Sequence, residues 1–304
     1  MSRVFVVGSI NMDVVATADR HPRPGETVPG SKLGFSEGGK GANQAVASSR
    51  AGAETVMVGR VGDDDFGRRL EAFLRDEGLD LEHVKSESGV PTGTAVVTVA
   101  DSESTIVVVP GANAALTPAH VQALPVEAGD VVVAQFEVSL ETVEAALRRA
   151  RDQGAATILN PAPALECEPR LLDLADVLVV NETELAFLGP GSAESFESRD
   201  ALIDAARRLR SRDAQTMVVT LGRAGALALD REEVIEMHGR SLDPVDASGA
   251  GDCFVGFLAA QLAGGEPLRA ALSTANVAAS LCVQSSGAGV SMPTLEEVRA
   301  TVWP

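Results

Sequence analysis

The stretch DVVVAQFEVSLETVEAALRRARDQGAATILN, running from Asp130 to Asn160, decides the fold. Its opening, Asp130–Ala134, is an apolar run without polar alternation, which is how a strand covered on both faces reads. Leu140, Val143, Leu147 and Ala150 then recur at helical spacing and share one face of a helix over Leu140–Gln153. Glu141 and Glu144 stand near its start, and Arg148, Arg149 and Arg151 near its end, as the helix dipole favours. Gly154 supplies a stop, and Ala155–Asn160 is a second apolar run. A strand, a helix and a strand in that order predict a right-handed parallel crossover. Outward from this unit, β-rich runs at Arg3–Gly8, Thr55–Gly59, Val177–Asn181 and Thr216–Leu221 repeat the pattern. The expectation is an α/β protein with an open, mostly parallel sheet flanked by helices on both faces.

Two segments depart from the pattern. Val14–Phe35 contains His21-Pro22-Arg23-Pro24-Gly25 and no helical period. Thr94–Ala100 and Ser104–Val109 flank Asp101-Ser102-Glu103, which suits a hairpin. Together, about 14–35 and 92–109 read as a small β-sheet lid over the carboxyl edge of the main sheet; edge strands with long loops are the alternative. The whole chain, 1–304, is taken as a single α/β domain, since such folds often exceed the ~150 residues of an average domain.

Composition excludes several functions. With 25 Lys+Arg against 43 Asp+Glu, the net charge of −18 opposes nucleic acid and anionic membranes. No Tyr, one Trp and nine Phe leave little for stacking single-stranded bases. No apolar run approaches the ~18 residues of a membrane span, and Val4–Val7 is too short for a signal-peptide core. Cys167, Cys253 and Cys282 are far apart, and His21, His83, His120 and His238 are scattered, so neither a disulfide framework nor a zinc site is supported. A reduced, cytoplasmic setting fits best.

Chemistry concentrates in three glycine-rich loops. In Gly38-Gly39-Lys40-Gly41-Ala42-Asn43-Gln44-Ala45, Gly34, Gly39 and Lys40 come near a nucleotide P-loop. Gly41 stands where Ser or Thr would meet Mg²⁺, and Lys32–Glu37 is a poor leading strand, so that motif is rejected. What remains is backbone open to a ligand and a helix from Ala42 to Arg50 with free N–H groups, or an ordinary helix start. Lys40 and Asn43 can hydrogen-bond hydroxyls. In Asp246-Ala247-Ser248-Gly249-Ala250-Gly251-Asp252-Cys253, the glycines open a helical run and make an anion cradle. Asp252 there suits a base that takes a hydroxyl proton beside a transferring phosphoryl group, or else a helix cap. Thr220-Leu221-Gly222-Arg223-Ala224-Gly225 follows a strand end, where α/β sheets bind ligands, or is a plain turn into Ala226–Asp230. Asn181 and Glu184 share a helical face suited to phosphate and hydrated Mg²⁺, with a capping Asn as the alternative. Asn11 and Asp13 could grip adjacent hydroxyls or form an Asx turn. Glu137 is an awkward place for a charge unless it faces a polar ligand or solvent.

These residues, with Gly8-Ser9-Ile10-Asn11-Met12-Asp13, Pro24-Gly25-Glu26-Thr27, Pro110-Gly111-Ala112-Asn113 and Asn160-Pro161-Ala162-Pro163 in the same order, resemble the ribokinase family of phosphofructokinase-B-type carbohydrate kinases nearly end to end. The resemblance implies the ribokinase-like fold and ATP-dependent phosphorylation of D-ribose at O5. It implies sugar contacts from Asn11, Met12, Asp13, Gly39, Lys40, Gly41, Ala42, Asn43 and Glu137, with Asp252 as catalytic base. Gly249, Ala250 and Gly251 would form the anion hole. Asn181, Glu184, Thr220, Leu221, Gly222, Arg223, Ala224, Gly225, Gly251, Asp252 and Asn276 would lie along the nucleotide. Glu184 would position Mg²⁺ through water, and Asp246, Ser248, Cys282, Ser285, Gly287 and Ser291 would hold K⁺. The family also implies a homodimer clasped through lid strands. Ala247 and Cys253 stand where the family often has Thr, and Cys253 beside the base implies sensitivity to oxidants or thiol reagents. The alternatives are a kinase for deoxyribose or a nucleoside, or a non-catalytic sugar sensor on the same fold.

Overall fold

A computed structural model describes residues 2–101, 103–189, 196–231, 233–240 and 242–301. The strands are β1 (Arg3–Val7), β2 (Asn11–Ala18), β3 (Gly30–Gly38), β4 (Glu54–Gly62), β5 (Asp80–Glu87), β6 (Gly93–Ala100), β7 (Glu103–Val109), β8 (Val131–Gln135), β9 (Ala156–Asn160), β10 (Val177–Asn181), β11 (Thr216–Thr220), β12 (Gly225–Asp230) and β13 (Glu233–His238). Among the described residues they form a nine-stranded sheet, β13-β12-β11-β10-β9-β8-β1-β4-β5, and a four-stranded sheet, β3-β2-β6-β7. The large sheet is parallel from β11 to β5, and β12 and β13 add antiparallel strands at one edge. The short Leu221–Ala224 connection accounts for that reversal, because so few residues cannot make a parallel crossover.

The expected crossover is present. Helix Leu140–Asp152 runs between β8 and β9, buries Val143, Ala146, Leu147 and Ala150, and starts at a Ser139 cap. Alternate residues of β1 serve opposite layers: Val4 and Val6 pack with helices Lys40–Arg50 and Ala250–Ala263, while Phe5 and Val7 pack with helix Leu140–Asp152. Burial on both faces is why the strand shows no polar alternation.

The hairpin is also present, pairing Thr94 with Val109 and Ala100 with Glu103; its turn residue Ser102 lies outside the described residues. The smaller sheet starts earlier than the sequence pattern indicates, since Asn11 and Asp13 are themselves in β2, paired with Gly38 and Ser36. They therefore stand in a strand and not in an Asx turn. Among the described residues no helix is long and apolar enough to cross a membrane.

The chain runs from β1 to β4 on one side and places β8 on the other, so strand order reverses between β1 and β8. In open α/β sheets the crevice at such a reversal, at the carboxyl ends of the strands, is where ligands bind.

Candidate active site

At that reversal the turn after β1 meets the end of β8 through Glu137. Glu137 Oε2 accepts from Ser9 Oγ at 2.5 Å, from the Lys40 backbone N–H at 3.0 Å and from Asn11 Nδ2 at 3.4 Å. Asn11 Oδ1 accepts from Asn113 Nδ2 at 2.7 Å. Glu137 thus has a structural partner for its charge, the start of helix Lys40–Arg50. That helix begins two residues before the expected Ala42, and its first N–H groups are taken. Lys40 N–H goes to Glu137, Gly41 N–H to Ser9 Oγ, Ala42 N–H to the Ser9 carbonyl and Asn43 N–H to the Gly39 carbonyl. The expectation of free N–H groups here is overturned, because Ser9 and Glu137, distant in sequence, satisfy them in place of a ligand.

Helix Ala250–Ala263 behaves differently. Gly249 caps it at φ 76, the left-handed region that glycine tolerates, and no side chain caps it. The space beside Gly251 is open: an added Cβ there would meet nothing within 4 Å. Asp252 follows in the first turn and is buried. Its Oδ2 accepts from Asn43 Nδ2 at 3.0 Å and its Oδ1 from Gln44 Nε2 at 2.9 Å. This meeting depends on a close helix crossing. At Gly256 an added Cβ would stand 2.4 Å from the Gln44 carbonyl oxygen and 2.5 Å from Ala47 Cβ. Asn43 Oδ1 is buried and has no hydrogen-bond partner among the described residues.

The charges around Asp252 are coupled. Burial, reinforced by Glu137 and then Asp252, pushes the Asp13 carboxyl up to about 7. Asp252 in turn raises the Lys40 ammonium pKa, against its burial, with help from Glu137 and Glu184. Burial raises the Glu184 carboxyl pKa, opposed by the Asn181 N–H and by Lys40. Asp13, Lys40, Asn43, Glu137 and Asp252 are therefore one neighbourhood.

Beside it lies a cleft of about 290 Å³ lined by Thr220, Gly222, Arg223, Gly225, Ala250, Gly251 and Asn276, among others. Asn276 is held by its Nδ2, which donates to the His238 carbonyl at 2.9 Å. Leu221 and Ala224 belong to the same turn but do not line the cleft, and neither do Asn181 and Glu184. Asn181 and Glu184 form a reciprocal cap at the start of helix Glu182–Leu188: Asn181 Oδ1 accepts the Glu184 N–H, and Glu184 Oε2 accepts the Asn181 N–H, both at 2.8 Å. Glu184 remains close enough to Lys40 and Asp252 to feel their charges.

Asp246 ties two loops together. Its Oδ1 accepts from Ser248 N–H at 2.9 Å and its Oδ2 from Gly287 N–H at 3.0 Å. Burial pushes its carboxyl up, but these bonds outweigh it and hold it below the usual range. Ser291 Oγ donates to the Ala288 carbonyl at 2.9 Å and stands 3.1 Å from Cys282 Sγ, while the Cys282 carbonyl accepts from Ser285 N–H at 3.3 Å. The expected reactivity of Cys253 is contradicted. Its side chain is fully buried, and burial pushes its thiol well above the usual range, so the nucleophilic thiolate is suppressed and reagents have no access.

Sequence reasoning passed over Ser9, Gln44, Asn113, Gln135 and Asn160, all buried polar residues at this junction. Four of them sit inside the quoted motifs, which was the available signal; Gln135, at the end of an apolar run, had none beyond being polar there.

Comparison with known proteins follows the same line. Residues 1–295 match the model of the pfkB family of carbohydrate kinases. The chain is 38% identical over 300 residues to a ribokinase of Bacillus subtilis (strain 168), covering 98% of both chains. It is 33% identical over 304 residues to a deoxyribokinase of Salmonella typhi, covering 97% of this chain and 96% of that one. It superimposes on the structure of Arabidopsis thaliana ribokinase complexed with ribose and ATP at a TM-score of 0.87 and 30% identity, covering 99% of this chain and 98% of that one. The chain belongs to the pfkB family of carbohydrate kinases.

Proposed function

We propose that this protein is an ATP-dependent kinase that transfers the γ-phosphoryl group to O5 of D-ribose. The observation that carries the reading is the position of Asp252. It lies in the first turn of a helix with open backbone beside it, between a cluster of hydroxyl-binding side chains and a cleft sized for a ligand. Ribose would sit against Asn11, Met12, Asp13, Lys40, Asn43 and Glu137. Asn43 Oδ1, a buried acceptor without a partner, would take a sugar hydroxyl hydrogen. Among the described residues the hydrogen bonds to Glu137 from Ser9, Asn11 and Lys40 all go to Oε2, and Oε1 would serve the sugar. ATP would fill the 290 Å³ cleft beside Thr220, Gly222, Gly225 and Asn276, its terminal phosphate meeting the N–H groups of Ala250 and Gly251.

Asp252 would take the O5 proton as O5 attacks phosphorus and the bond to ADP breaks. Lys40, strongly charged beside it, would balance charge on the transferring group. The smaller sheet would close over the crevice and exclude water. A pure sugar sensor needs no base and no open anion cradle, which disfavours that alternative.

The residues present fit two cations. Glu184, a carboxylate pushed toward its neutral form by burial, would gain from a nearby Mg²⁺ held through water. Asp246, Ser248, Cys282, Ser285, Gly287 and Ser291 bring one carboxylate together with backbone carbonyls and hydroxyls, a set suited to K⁺. Mg²⁺ would neutralise phosphate charge and K⁺ would steady the loops flanking the anion hole. We also assign a homodimer to the smaller sheet, whose edge strand β7 is exposed throughout and carries Ile106, Val107, Val108 and Val109. A reduced cytoplasmic setting agrees with three unpaired cysteines.

The test is ADP release with ribose, deoxyribose, fructose, adenosine and no sugar. Ribose is expected to give the highest kcat/KM. A higher value with deoxyribose would move the substrate to that sugar, and release independent of any sugar would overturn the kinase reading.

A further inference from the structure

The two oxygens of Asp252 are committed to different partners. Oδ2 accepts from Asn43, at the sugar side, and Oδ1 accepts from Gln44, which is wholly buried. Gln44 has no freedom of orientation. A carboxylate only accepts hydrogen bonds, so Gln44 must turn its NH₂ toward Asp252. The same NH₂ also donates to Asn160 Oδ1 at 3.2 Å, and Asn160 Nδ2 donates to the Val179 carbonyl at 2.9 Å. Gln44 Oε1 accepts from Gln135 Nε2 at 2.6 Å. Gln135 and Asn160 are paired neighbours at the carboxyl ends of β8 and β9. A buried chain of amides thus ties one oxygen of Asp252 to the rigid sheet.

We propose that Gln44 is a positioning residue for phosphoryl transfer, pinning Oδ1 of Asp252 so that Oδ2 is the atom that receives the sugar proton. The proposal rests on the kinase reading above. In the transfer, the O5–H proton moves to Oδ2 while the O5–P bond forms, the bond from phosphorus to the bridging oxygen breaks, and ADP leaves with that electron pair. Oδ1 then becomes the carbonyl oxygen of a neutral acid and still accepts from Gln44. The bond from Gln44 to Oδ1 is kept through the whole step, so the links that tie this oxygen to the sheet do not have to reorganise; Gln135 Oε1, at the far end of the chain, has no partner among the described residues throughout. Without Gln44, Asn43 alone holds the carboxylate, which can then turn about that one bond.

The experiment measures kcat and KM against pH, from about pH 5 to about pH 9, for the intact enzyme and for Gln44→Met and Gln44→Glu, with thermal melting to confirm folding. Methionine keeps the size and removes the hydrogen bonds. Gln44→Met is expected to lower kcat by ~10–100-fold with KM for ribose within ~3-fold, as a misplaced reacting group does. Lys40, Asp13, Glu137 and Glu184, the other charged groups acting around Asp252, are unchanged in both variants.

In Gln44→Glu the new carboxyl group can donate to Oδ1 while it is protonated, and once ionised it repels the base. This variant is therefore expected to lose activity as pH rises, and this decides the matter even if the methionine variant fails to fold. A parallel loss of kcat and ribose KM in Gln44→Met, a Gln44→Glu activity that does not fall as pH rises, or no loss of kcat, overturns the positioning role. An intact enzyme that releases no ADP with ribose overturns the kinase reading instead.

Discussion

Asp13 is the residue whose charge costs the free protein most visibly. Its carboxyl is pushed from 3.8 to about 7 by burial, then by Glu137 and Asp252. A raised acid favours the protonated folded state, so this group's contribution to stability is complete below about pH 4 and lost as pH climbs to about 7. Asp13→Asn removes the penalty. The sugar-free variant should melt higher than the parent above pH 7, with the gap closing toward pH 4, while losing affinity for ribose. Paired melting curves across pH check this, and parallel curves would contradict it. At Cys253 the expectation is the reverse of that implied by the resemblance: an alkylating reagent should leave activity intact under native conditions, with the half-buried Cys167 reacting first. Single motifs left a bland alternative at each loop, and the candidate residues came together as a set only through the order in which the motifs recur. Who bonds whom was not legible. Ser9 and Glu137 lie far apart in sequence, and only the folded sheet brings them to the same helix start.

At the scale of elements, the decisive contact is between helices Lys40–Arg50 and Ala250–Ala263. It holds Asn43 and Gln44 against Asp252 only because residue 256 has no side chain. Gly256→Ala would push a Cβ into helix backbone, and we expect a loss of ~1–3 kcal/mol of stability. Turnover should fall further than unfolding explains, since the base moves with its helix; equilibrium denaturation beside kcat at low temperature measures both. Unchanged kcat in a destabilised variant would show that the crossing does not set the base. The central strands were readable from their apolar runs, but β5 and β13 were not. Asp80–Glu87 and Glu233–His238 lie at sheet edges, are partly exposed and carry charges, so they lack the doubly buried signature of the middle strands.

Across the whole molecule, the two sheets divide the work. The large sheet supplies strand ends at which polar side chains converge, and the small sheet carries Asn11 and Asp13 into the crevice along β2. Its outer edge is apolar, with Val107 65% and Ile106 58% exposed, and the proposed dimer would cover it. If the proposed dimer forms there, replacing both by Lys should lower the mass of the parent from dimer to monomer in sedimentation, and a monomeric parent or an unchanged mass would contradict the assignment. Exchanging K⁺ for a bulky organic cation should lower kcat, and equal rates would count against the Asp246 loops. The central claim is that Asp252 takes the sugar proton at the junction of both ligands. Asp252→Asn keeps the shape and removes the base. It should cut kcat by ~10²–10⁴ while ribose affinity, followed by calorimetry, stays within ~10-fold. Near-normal turnover in that variant would contradict the account.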